Sequence, residues 1–123
     1  MSQYMDDAIA PGGADGTNLA RKELVVIGWT CQLAEAMAWL LKNEPPADDT
    51  PPPGQVLQWM QELNDRAEHI AQSALEGVGS QVRAEFLQND VAAMLGLIER
   101  NKDWLHSSRM ALPPADVMRA WVL

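Results

Sequence analysis

The chain has 123 residues, one domain's worth, so a single core can form without metals or disulfides. Its 17 acidic residues against 9 Lys and Arg give a net charge of −8, which argues against binding DNA or RNA by phosphate neutralisation. The single cysteine, Cys31, excludes an intramolecular disulfide and fits a reducing, cytoplasmic compartment.

Residues 1–16 hold Asp6, Asp7 and Asp15 with no Lys or Arg, and read as a disordered acidic leader. The basic and apolar regions of a signal peptide are both missing from it. Residues 17–123 then read as one helical-bundle domain. Ala, Leu, Met, Gln and Glu are abundant and β-branched residues scarce, which is a helix-forming inventory.

Thr17 or Asn18 can cap a long first helix ending near Asn43. At about 100° per residue this helix carries two apolar stripes. Leu24, Ile27, Cys31, Ala34, Ala38 and Leu41 form a slim stripe; Val26, Trp29, Leu33, Met37 and Leu40 form a bulky one. Two stripes predict contacts on two sides, and a central position in the bundle. Cys31 is expected to be a buried small hydrophobe. The run 24–41 is about membrane length, but Gln32 and Glu35 interrupt it, so a core helix is expected and no membrane. The remaining face holds Arg21, Gly28, Gln32, Glu35 and Lys42 together with Trp39. An aromatic residue rimmed by polar ones is the arrangement that anchors a protein partner. The alternative is that Trp39 packs along the edge of the bundle.

The segment 44–54 contains five prolines and cannot be helical. It is expected to be a spacer long enough for either a parallel or an antiparallel second helix. The second helix, 55–75, has the cleanest pattern in the chain. Val56, Met60, Leu63, Ala67, Ile70 and Ala74 alternate steps of four and three, opposite Gln58, Gln61, Glu62, Asp65, Glu68 and His69. Gly77 and Gly79 end it and predict an antiparallel third helix capped by Ser80. Asn89-Asp90 is expected to break that helix. A further helix from Val91 ends near His106, and Pro113-Pro114 restart the chain in a short helix, 115–121. The expected fold is therefore all-α, a small bundle of three to five helices with a long central first helix.

No nucleophile motif, Gly-rich phosphate loop or Cys-x-x-Cys pair is present, and no catalytic residue, cofactor or metal is expected. Glu62, Asp65 and His69 on one helix, and Asp103 with His106 on another, are the nearest approach to a ligand set. Carboxylate and imidazole one turn apart can chelate, but the first group lies opposite the core face, where bundle metal sites are built. A solvated polar face is the expectation. What is left is a binding protein: an acidic helical face, Glu35, Glu62, Asp65 and Glu68, with Trp39, Trp59 and Trp104 as anchors, facing a protein with a basic surface. In general character the chain is similar to the small antagonists made by phages and mobile elements, anti-CRISPR proteins among them, and to cytoplasmic immunity proteins. No motif carries that likeness. The second reading is a homodimeric structural or adaptor module joined through the first or last helix, and the third a metal-dependent helical-bundle enzyme.

Overall fold

A computed structural model describes residues 13–108 and 110–122, with side chains from 21 to 120 apart from 109. It contains α1 (Gly13–Asn43), α2 (Pro53–Leu75), α3 (Ser80–Arg100), α4 (Lys102–His106) and α5 (Ala115–Val122). Among the described residues there is no strand. The all-α bundle expected from the sequence is the fold found.

Three long helices make the body. Phe86 of α3 lies beside His69 of α2, ring centroids 4.2 Å apart, and Arg100 lies over Trp59 at 5.9 Å. Rising numbers on α3 meet falling numbers on α2, so the two are antiparallel. Glu23 pairs with Arg83, and Thr30 with Asp90, so α1 runs parallel to α3 and antiparallel to α2. The proline-rich spacer is thus a return loop rather than a crossover. Thr50 folds it locally, its backbone N–H donating to the Ala47 carbonyl and its hydroxyl accepting from the Ala47 N–H. α2 then starts at Pro53, where a missing N–H costs nothing.

The core is built from the bulky stripe of α1 (Val26, Leu33, Met37, Leu40), the four–three stripe of α2 (Val56, Leu63, Ile70) and Leu87, Val91, Met94 and Leu97 of α3. Each such side chain, fully buried, contributes roughly 1.5–3 kcal/mol of transfer free energy. The slim stripe of α1 behaves otherwise. Ala34 is buried and Ile27 and Leu41 are half-buried, but Leu24, Cys31 and Ala38 are exposed. The expectation of a buried thiol is therefore corrected: Cys31 is exposed, on a stripe of α1 that the described helices leave open.

Helix ends differ from expectation in instructive ways. α1 begins at Gly13, not at Thr17, so residues 13–16 belong to the helix and not to a leader; residues 1–12 lie outside the described residues. α2 ends at a Schellman turn. Val78 N–H reaches the Ser73 carbonyl, Gly77 N–H reaches that of Ala74, and Gly77 takes φ 73°. That left-handed residue is why a glycine is needed there. Ser80 is the first helical residue of α3, not its cap, and makes no capping bond.

The expected break at Asn89-Asp90 is absent: α3 is continuous from Ser80 to Arg100. Asp90 does not turn back on its own backbone, because its carboxylate reaches across to the Thr30 hydroxyl of α1 at 2.7 Å. The interruption comes instead at Asn101, whose side-chain amide donates to the Leu97 carbonyl. α4 follows, burying Trp104 and Leu105. The chain then crosses α1, where the Gln32 amide donates to the Ala111 carbonyl. α5 packs on α3 through fully buried Met118 and an ion pair from Arg119 to Glu99. The spacing of Val117, Met118, Trp121 and Leu123 in the sequence suits a helix that closes one end of the bundle, but Val117 is 42% exposed. The side chains of Trp121 and Leu123 lie outside the described residues.

Candidate functional site

The outer face of α2 is where the expected acidic surface forms. Its apolar stripe is drawn inward, so the residues half a turn away must point to water. Glu62, Asp65 and Glu68 are all exposed there. Two of the carboxylates are held by amides one turn earlier: Gln61 Nε2 donates to Asp65 Oδ1 at 3.0 Å and Gln58 Nε2 to Glu62 Oε2 at 3.4 Å. A third pair, Gln72 to Glu76 at 3.0 Å, continues the pattern toward the end of the helix. Such pairs steady an exposed helix by a few tenths of a kcal/mol each without neutralising the acids. The result is an ordered negative ridge.

The other residues expected at the partner surface are not all brought to it. Glu35 is exposed on the outer side of α1. Antiparallel pairing, with the heights set by Thr30–Asp90, His69–Phe86 and Trp59–Arg100, puts Glu35 at roughly the level of Glu62. Trp39 is half-buried and packs against the core, while its backbone carbonyl accepts from the Asn43 amide. Trp59 is also half-buried, with the Arg100 guanidinium over its ring on the α3 side. Trp104 is 4% exposed and belongs to the core, so as a partner anchor it is corrected. Its helix turns it under the end of the bundle after the break at Asn101, which the sequence pattern did not reveal.

The residues weighed as metal ligands do not assemble. His69 turns its ring onto Phe86 of α3, at the α2–α3 seam. Among the described residues, no three of His, Cys, Asp and Glu are grouped to hold an ion. Depressions among the described residues include two that are shallow. One, about 280 Å³, lies between Asp49 and the α3–α4 junction. The other, about 200 Å³, is lined by Arg66, His69, Ile70, Phe86 and Asn89. Both are open to solvent, so neither removes a small molecule from water as a ligand pocket does.

Two buried polar contacts, both missed in the sequence, set the relation of α1 to α3. The Arg83 guanidinium meets Glu23 with two parallel bonds, its Nε 2.8 Å from Oε2 and its Nη2 on Oε1. The bond to Glu23 raises the Arg83 pKa above its ordinary value, against the opposing effect of burial. Deeper in, the Thr30 hydroxyl lies 2.8 Å from the Val26 carbonyl and 2.7 Å from Asp90 Oδ2. It also lies 3.4 Å from Met94 Sδ. One hydroxyl proton cannot serve two oxygens at once. A proton on Asp90 lets Thr30 donate to Val26 and accept from Asp90. Burial pushes the Asp90 carboxyl above the usual carboxylate range, while the Thr30 bond and the Arg66 charge pull it down. Asp90 Oδ1 has no hydrogen-bond partner. The only sequence signals were a Thr inside an apolar helix face and an Asp in a helical run.

The chain matches no family model, no curated protein and no solved structure.

Proposed function

We propose that this is a non-enzymatic protein-binding module, a small acidic antagonist that acts by covering part of a partner protein. The ordered carboxylate ridge of α2 carries this reading. It presents Glu62, Asp65 and Glu68 outward on a helix anchored by a packed inner stripe. A rigid row of like charge favours a basic partner surface, speeds encounter with it and penalises acidic competitors. Glu35 and the exposed edge of Trp39 extend the surface onto α1. Half-buried Trp59 is the remaining aromatic candidate. In this reading the protein resembles, in size, acidity and helicity, phage antagonists of host defence, and immunity proteins acting in the cytoplasm.

The test is affinity capture from cells of the native host, run in parallel with the wild-type chain and with Glu62→Lys/Asp65→Lys. The expected result is a protein retained by the wild type and lost from the charge-reversed variant. Identical retained sets would sink the assignment of this face. A second reading, a homodimeric adaptor, is favoured by a different observation: Leu24, Gly28, Cys31 and Ala38 leave one stripe of α1 exposed among the described residues.

A further inference from the structure

α1 is the most apolar stretch of the described chain, yet only 39% of its most apolar window is buried. Between Arg21 and Leu41, every exposed residue but Lys22 falls on one stripe. Arg21, Leu24, Gly28, Cys31, Glu35 and Ala38 are all exposed and recur at alternating steps of three and four. That spacing is the seam of a helix pair. Along its middle the seam is low, with Gly28, Cys31 and Ala38. Its flanks are higher and half-buried, with Val25 and Trp39 on one side and Ile27 and Leu41 on the other. Leu24, 72% exposed, stands at one end.

Among the described residues, no close approach or turn calls for a glycine at 28. A Cβ built there meets nothing within 4 Å, and its backbone does not take positive φ. A glycine inside a helix costs about 1 kcal/mol relative to alanine. A second helix passing close over this point would supply the missing reason.

The charges on the seam name the second helix. Arg21 and Glu35 lie on it about 21 Å apart, at the usual helical rise. Neither has an ion-pair partner among the described residues. We infer that the seam binds a second copy of this chain, α1 against α1 in antiparallel orientation, crossing between Gly28 and Cys31. That crossing brings Arg21 within one turn of Glu35 of the other copy, and by symmetry does so twice. A parallel pair would instead oppose Arg21 to Arg21, Glu35 to Glu35 and Lys42 to Lys42. With its flanks, a contact about 26 Å long over residues 21–38 covers on the order of 1,000 Å² in total, the least that a specific interface needs. The dimer takes Glu35 and the edge of Trp39 for itself and leaves the α2 ridge free, so it stands or falls independently of that ridge and competes only with the extension of the partner surface onto α1.

The experiment is light scattering on the full chain up to about 100 µM, with variants titrated through dissociation. Twice the 13.6 kDa chain mass is expected for the wild type. Arg21→Glu and Glu35→Arg should each weaken the dimer by about fivefold or more, and the double reversal should restore it. Gly28→Gln should dissociate it while leaving the helical circular dichroism intact, since the position is exposed and a Cβ there meets nothing within 4 Å. A 13.6 kDa particle throughout overturns the inference, and so does one that partitions onto uncharged lipid vesicles, since lipid would then cover the face. A dimer indifferent to Gly28→Gln, or a double reversal no better than the singles, overturns the crossing or its orientation. Glu62→Lys/Asp65→Lys should leave the dimer unchanged.

Discussion

Asp90 is 1% exposed, with one oxygen on Thr30 and the other without a partner. Burial, the largest influence on it, raises its pKa in the folded chain. Its contribution to stability is therefore full below the unfolded-state value, roughly 4, and is lost as pH rises through the higher folded value. Asp90→Asn keeps the shape and removes the ionisation. We expect the variant to melt above the wild type at neutral pH, with the gap closing toward about pH 3, read by thermal circular dichroism across pH. Thr30→Val should do the opposite at neutral pH and cost about 1–3 kcal/mol, because Asp90 then loses its one partner. Trp39 poses a different question at the same scale. It packs against the core while half-exposed, so Trp39→Ala should cost roughly 2 kcal/mol in urea unfolding, below the full cost of a core aromatic. A loss near zero would make it a surface anchor alone. Both residues show why the sequence was a partial guide. Trp39 falls between stripes, and the pairing of Asp90 with Thr30 spans sixty positions that no local pattern connects.

At the scale of elements, legibility tracked how completely each helix face is used inside the monomer. α2 offers one apolar stripe to the bundle and one polar face to water, and its four–three spacing placed it almost to the residue. α1 was harder because it is apolar nearly all round while its neighbours cover only part of it, so Cys31 and Ala38 were expected inside. Its start was missed because Gly13-Ala-Asp-Gly has poor helix propensity and contributes nothing to the stripe that revealed the rest. Asn101 was missed because the apolar spacing continues across it from Leu97 to Trp104 and Leu105. The α1–α3 pairing rests on Glu23 and Arg83, whose side chains are 4% and 17% exposed. Arg83→Met should cost about 3 kcal/mol because it strands a buried carboxylate, whereas Glu23→Leu with Arg83→Met should recover most of that loss. Equal losses in the single and double variants, measured by chemical unfolding, would show that the pair does not act as a unit.

The molecule as a whole carries its −8 unevenly, and only part of that charge sits on helices. Glu44, Asp48 and Asp49 belong to the exposed return loop and not to a helix face. Glu62, Asp65 and Glu68 are fixed on α2, so their field has a direction. Near 0.15 M salt the Debye length is about 8 Å, so the ridge is felt mainly at close approach, and the proposed partner would have to bring positive charge to this face. Reversing two of the acids, Glu62→Lys with Asp65→Lys, should leave folding almost untouched. Both residues are exposed, and their described hydrogen bonds are to Gln58 and Gln61 alone. Binding to the protein recovered by capture should respond strongly, and through kinetics. Association should slow by roughly tenfold or more at low salt while dissociation changes less, because steering acts before contact. Raising the ionic strength should shrink the difference between wild type and variant. The check is surface-based kinetics at several salt concentrations. Equal association rates at low salt would remove the α2 ridge from the binding surface.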